Sequence, residues 1–90
     1  MELLIPAPNG TAIEAALGSG RASVLKGLLP VPRTTTELAH QLRLSPATVS
    51  AHLLRLKTAE LVEPHRSGKR VYYRLSWAGE SLLGIFGELE

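Results

Sequence analysis

The fold is decided by residues 45–58, which read SPATVSAHLLRLKT. A serine followed by a proline favours a helix start, because the serine hydroxyl caps a free N–H group and proline has none to leave unpaired. Val49, Leu53 and Leu56 then recur at i, i+4 and i+7, the spacing that places side chains on one face of a helix. We therefore predict a helix over residues 46–58 that buries this face.

A shorter helix precedes this one. Thr34-Thr35-Thr36-Glu37 matches a capping box, in which a threonine hydroxyl and a glutamate carboxylate satisfy free N–H groups at a helix start. Leu38, Ala39 and Leu42 follow as an apolar face, and a short turn leads into the second helix. The two helices form a predicted helix-turn-helix over about residues 35–58.

After these helices the apolar spacing changes from the period of a helix to the alternation of a strand. Residues 61–65 predict a short strand, and residues 70–75 predict a second one that is rich in β-branched and aromatic residues. The turn between them is Arg66-Ser67-Gly68-Lys69. We predict a basic hairpin, or wing, over about residues 61–75, with Tyr73 on the core side.

Three more helices are expected to flank these elements, over about residues 11–17, 19–29 and 76–87. Ser19 is the expected cap of the second, and Trp77 is the expected anchor of the last. The predicted fold class is mainly α with a small β-hairpin (α+β), in one domain with the order α-α-α-α-β-β-α. This is the arrangement of a winged helix-turn-helix.

Length and composition exclude several classes of protein. Ninety residues make one domain, too small for a deep two-domain cleft or a large nucleotide-binding fold. The absence of cysteine excludes disulfides and thiolate metal sites. Because no apolar run approaches the ~20 residues of a membrane span, we expect a soluble, cytoplasmic protein.

The sequence also lacks the residue patterns of a catalytic or metal site. His40, His52 and His65 fall on three different elements with no cysteine or aspartate nearby, so they do not predict a set of converging metal ligands. Gly18-Ser19-Gly20 lacks the third glycine of the dinucleotide fingerprint and the lysine of the Walker motif. We predict that the protein is not an enzyme and holds no metal or cofactor.

The distribution of charge points to an anionic partner. The formal net charge is +2. Residues 42–74 hold seven basic residues against two glutamates, a local +5, whereas the rest of the chain holds three against six, a local −3. A basic segment on a small domain is a candidate surface for nucleic acid, although the same pattern fits a solvated face with scattered charges.

If the basic segment binds DNA, the second helix of the helix-turn-helix and the tip of the wing are the parts expected to contact it. The major groove is about 12 Å wide and admits one helix, which would present small or polar side chains opposite its core face. The candidate base-facing residues are Ala47, Thr48, Ala51 and Arg55. The candidate contacts to the DNA backbone are Ser45, Ser50, Arg66, Lys69 and Arg70. His52 is expected to pack beside the helix or to bond to a phosphate.

Together these elements resemble the ArsR-type (arsenic-repressor-like) winged helix-turn-helix regulators of bacteria, from about Leu17 to Leu83. The resemblance rests on residues 36–39, 44–56, 59–62 and 66–75. It implies a homodimer that represses transcription by binding double-stranded DNA, with the terminal helices at the dimer interface. A two-fold dimer would prefer an inverted repeat.

Three departures from the family pattern bear on this expectation. Glu60 stands where the family has a helix-ending glycine, so this position either adopts a left-handed conformation, at about 1 kcal/mol, or ends the helix differently. Residues 37–42 lack the cysteine pair of arsenic-sensing members, and residues 76–90 contain no histidine for a zinc site. The comparison with the family therefore implies no metal sensing, and no effector is assigned.

Leu54 falls outside the apolar face of its helix, where a DNA-facing helix usually has a polar residue. It would pack against the wing or the last helix, or contact another chain. An alternative function is therefore a winged helix that serves as a protein-interaction module, or as the detached C-terminal module of a larger regulator.

Overall fold

The computed structural model describes residues 10–29 and 31–85. The elements are, in chain order, α1 (Gly10–Leu17), α2 (Ser19–Gly27), β1 (Arg33–Thr34), α3 (Thr35–Leu42), α4 (Pro46–Thr58), β2 (Val62–Ser67), β3 (Arg70–Leu75) and α5 (Trp77–Ile85). Helices α3 and α4 form the helix-turn-helix and strands β2 and β3 form the wing, which confirms the predicted fold class. The predicted end of the last helix at residue 87 lies outside the described residues.

The starts of α3 and α4 are confirmed in atomic detail. The Thr34 hydroxyl accepts a hydrogen bond from the Glu37 N–H (3.0 Å), while the Thr34 N–H donates to Glu37 Oε1 (2.9 Å), so both halves of the capping box are made. Ser45 Oγ accepts from the Thr48 N–H (3.1 Å), with Pro46 at the first helical position. These two caps fix where each helix of the helix-turn-helix begins.

The predicted boundaries of the first two helices need correction. Helix α1 begins at Gly10. Ser19 is not the cap of α2, because Gly18 occupies the N-cap position, with φ 88°, and has no side chain to form a capping bond. Helix α2 ends at Gly27 rather than at residue 29. The N–H of Leu28 bonds to the Leu25 carbonyl (3.2 Å), a tighter i→i−3 turn, and proline at position 30 disfavours helical backbone before it.

A third strand, β1, is absent from the predicted order, which becomes α-α-β-α-α-β-β-α. It pairs antiparallel with β3, Arg33 opposite Tyr73 and Thr34 opposite Tyr72, so the sheet order is β1-β3-β2. Two residues are too few to show an alternating pattern, which is why the sequence does not reveal this strand. Its effect is to hold the start of α3 against the wing.

The end of α4 is held by contacts to the start of α5. Glu60 adopts the left-handed conformation, with φ 63°, which decides between the two outcomes left open by its departure from the family pattern. Its carbonyl accepts a hydrogen bond from the buried Ser76 hydroxyl (2.6 Å), and Ser76 Oγ in turn accepts a hydrogen bond from the Gly79 N–H (3.0 Å). The bond to Ser76 helps offset the backbone cost at Glu60.

The core lies where the five helices meet the inner side of β2 and β3. Its largest fully buried side chains are Ile13, Val24, Leu25, Leu38, Val49, Leu53, Leu56 and Leu83. Tyr73 packs against this cluster as predicted. The prediction for Trp77 is wrong: it is 81% exposed, and Leu83 is the buried side chain that seats α5. No helix in the described part of the chain is long and apolar enough to cross a membrane.

Candidate nucleic-acid interface

Helix α4 has one buried face and one exposed face, as its spacing predicts. Val49, Leu53 and Leu56 are at most 1% exposed. The side chains on the opposite side are exposed, and we call them the outward face: Ala47, Thr48, Ser50, Ala51, Leu54, Arg55 and Thr58. No aspartate or glutamate occurs anywhere in α4, so this face has no carboxylate of its own to repel an anion.

At the start of α4, the hydroxyl groups of Ser45 and Thr48 bond to each other. Ser45 Oγ donates to Thr48 Oγ1 (2.8 Å) while accepting from the Thr48 N–H. Because a hydroxyl has one proton, the donor of Ser45 is used within the cap and that of Thr48 is left for an external acceptor. Thr48 is therefore the better placed of the two to donate to a base or a phosphate.

His52 is not brought together with the outward face. Its imidazole is half-buried between α4 and α2, directly against Gly20, where a Cβ atom would overlap the ring. A larger residue at position 20 would require the imidazole to shift. The structure thus agrees with packing beside the helix, the first of the two roles expected for His52.

The wing presents its predicted cations at its tip. Strands β2 and β3 are joined at the Ser67–Arg70 pair by a two-residue loop, in which Gly68 has φ 63°, the geometry that a primed hairpin turn requires. Arg66, Lys69 and Arg70 are all exposed there. Further from the tip, Arg74 Nε pairs with Glu63 Oε1 (3.2 Å), the one salt bridge among the described residues. The three tip cations are therefore not neutralised by a carboxylate of the described chain.

Arg70 also faces a hollow that the sequence does not reveal. The hollow is about 430 Å³, and its lining residues are Thr34, Thr35, Thr36, Glu37, Arg70 and Val71. It forms because β1 pairs with β3 and thereby sets the first turn of α3 beside the wing. Thr35 and Thr36 thus join the candidate surface, and only the position of β1 would have predicted them.

The described residues show no cluster of metal ligands. Within residues 10–29 and 31–85, no three histidine or glutamate side chains lie close enough to hold a metal ion.

The candidate interface consists of the outward face of α4, the tip of the wing and the threonines at the start of α3.

Comparison with known proteins gives one family and several similar structures. Residues 18–64 match the family described as "Bacterial regulatory protein, arsR family". The fold is similar to reduced HlyU from Vibrio cholerae, with 26% identity, a TM-score of 0.72, and 87% of this chain and 83% of that chain covered. No curated protein sequence matches the chain.

Two further structures share more sequence. Mb0332 from Mycobacterium bovis, a homodimeric winged helix-turn-helix DNA-binding domain and possible ArsR-family regulator, is 36% identical, with a TM-score of 0.66 over 82% of this chain and 68% of that chain. A possible transcriptional regulator for arsenical resistance is 32% identical, with a TM-score of 0.67 over 80% and 75%.

Proposed function

Because the chain belongs to the ArsR family of bacterial regulatory proteins, which are DNA-binding transcription regulators of winged-helix fold, we propose that it is a repressor that binds an inverted-repeat operator as a homodimer. Helix α4 enters the major groove, and the tip of the wing contacts the backbone or the adjacent minor groove. The observation that carries this proposal is the outward face of α4, which is exposed and free of carboxylates; the tip cations of the wing likewise pair with no carboxylate among the described residues.

The proposed contacts fall into two sets by their chemistry. Side chains that are short, or that carry a planar fork of donors, suit base edges. The proposed base-facing set is Ala47, Thr48, Ala51 and Arg55. Cations and hydroxyls suit phosphates and set the register of the protein on the duplex. The proposed backbone set is Ser45, Ser50, Arg66, Lys69 and Arg70. In this set the Ser45 hydroxyl turns its proton from Thr48 to the phosphate, while His52 holds α4 against α2.

The terminal helices are the proposed dimer interface. On α5, Trp77 is 81% exposed and Ile85 is 77% exposed, which leaves large apolar side chains on one helix without a partner in the described chain. The homodimeric state of Mb0332 supports the same assembly here. A two-fold dimer places two copies of α4 about 34–36 Å apart, one on each half of an inverted repeat.

The proposal is tested by selecting bound DNA from a random pool and then measuring Kd by fluorescence anisotropy at several salt concentrations. We expect an inverted repeat, and an affinity that falls steeply with salt because bound cations displace counterions.

Lys69→Ala should weaken binding to all sequences alike and reduce the slope of log K against log salt by about 1. Lys26→Ala, which removes an equal charge from α2, is the control and should leave the slope unchanged. Binding without salt dependence would favour the protein-interaction module instead.

Arg55→Ala tests the base-facing set. We expect a loss of about 1–3 kcal/mol in binding to the selected sequence, together with a relaxed preference at one position of each half-site. Arg55→Lys is the matched control, because it keeps the charge and loses the planar fork. The lysine variant should keep the salt dependence of the wild type and lose the base preference. A lysine variant with full base preference would place Arg55 on a phosphate.

A further inference from the structure

Leu54 is the largest apolar side chain on the outward face of α4, and it is 65% exposed. Its neighbour Leu53 is 1% exposed, so the two adjacent leucines point to opposite environments. Leu54 is thus not covered by the wing or by α5, two of the partners that the sequence left open. An exposed leucine beside Arg55 is out of place on a surface that contacts only phosphates.

The surroundings of Leu54 form an apolar hollow of about 520 Å³. Its lining residues are Ala51, Leu54, Arg55, Thr58 and Ala59. The one hydroxyl in it, Thr58 Oγ1, donates to the Leu54 carbonyl (2.9 Å), so its proton is used within the helix. Arg55 is the one charged side chain in the lining. The hollow therefore offers apolar contact next to a single cationic fork.

We infer that Leu54 contacts the 5-methyl group of a thymine in the major groove and so determines part of the operator sequence, an inference that rests on the proposed function. Among the base-pair edges exposed in that groove, the thymine methyl is the apolar group. Leu54 and Arg55 line the same hollow, so the two side chains face the same stretch of the groove. Guanine is the base that an arginine fork binds most often, so we expect a thymine close to a guanine in each half-site.

Charge favours DNA over a protein as the occupant of this hollow. The segment that contains it, residues 42–74, has a local net charge of +5, so a second copy of the same face would repel it. Two residues of the proposed base-facing set, Ala51 and Arg55, also line the hollow. In DNA, a thymine methyl would contact the apolar lining of the hollow, while the phosphates would interact with the basic residues around it.

The test replaces each thymine of the selected DNA in turn with deoxyuridine, which lacks only the 5-methyl group. With the wild-type protein, we expect about fourfold weaker binding at one position of each half-site, the factor for burying one methyl group. Leu54→Ala should bind thymine-containing DNA with a similar loss and should show no further loss with deoxyuridine at that position. Leu54→Met, which keeps the apolar contact, should restore the discrimination.

Val31→Ala shortens another exposed aliphatic side chain and is the control, which should discriminate between thymine and deoxyuridine as the wild type does. Equal discrimination by Leu54→Ala and the wild type would overturn the inference while leaving DNA binding intact. A change in sedimentation of Leu54→Ala in the absence of DNA would also overturn it, since the leucine would then contact protein. Failure of the wild type to bind any selected DNA would overturn the proposed function itself.

Discussion

Gly79→Ala is expected to lower the free energy of unfolding by about 2 kcal/mol. The glycine is buried in α5, and a Cβ atom there would overlap the carbonyl oxygen of Leu61. That oxygen cannot move away freely, because it accepts a hydrogen bond from the Ser76 N–H (3.0 Å). Overpacking costs about 1–3 kcal/mol and a strained hydrogen bond about 1 kcal/mol, against a gain of about 1 kcal/mol in helix propensity.

The measurement is thermal unfolding followed by far-ultraviolet circular dichroism. A loss of 2 kcal/mol corresponds to a fall in Tm of about 8–16 °C for a domain of this size. Tryptophan fluorescence is a poor probe, because Trp77 is 81% exposed in the single chain and lies on the proposed dimer surface, so its signal would follow dissociation as well as unfolding. Glu80→Ala, one residue along on the exposed side of α5, is the control and should change the stability by about 0.5 kcal/mol or less. If Gly79→Ala had the same Tm as the control variant, α5 would not approach Leu61 this closely.

The sequence predicts the parts of this fold that depend on neighbouring residues. The cap at Thr34 and the cap at Ser45 each involve residues three positions apart, and both are confirmed. What it does not predict depends on distant contacts. The conformation of Glu60 is supported by a bond to Ser76, sixteen residues away. Strand β1 forms because it pairs with β3, and the residues next to β1 in the sequence do not predict that pairing.

The candidate site divides in the same way. The phase of α4 is a local property, so the sequence places Arg55 on the exposed side correctly. The position of His52 depends on how closely α2 approaches, and Gly20 is the residue that permits it. The glycine is visible in the sequence, but its contact with His52 is not. Trp77 failed as an anchor for a related reason, because α5 is seated through Gly79 and Leu83 instead.

Leu53→Ala and Leu54→Ala, at adjacent positions of α4, should differ in stability by several kcal/mol. Leu53 is 1% exposed within the core, and truncation of a buried leucine costs about 2–5 kcal/mol through lost burial and the cavity that is left. Leu54 is 65% exposed, so its truncation should cost about 0.5 kcal/mol or less. A domain of this size has a total stability of about 5–13 kcal/mol, so the first variant should lose a large share of it.

Urea unfolding followed by circular dichroism measures the stability of both variants. The result for Leu54→Ala also bears on the thymine experiment. If Leu54→Ala unfolds at the urea concentration of the wild type, any loss of base preference in that variant comes from a missing contact rather than from a disturbed helix. Equal losses of stability in the two variants would mean that Leu54 is covered by another surface, such as a second subunit. The apolar hollow beside Arg55 would then be a protein interface, and the thymine contact would have no side chain to make it.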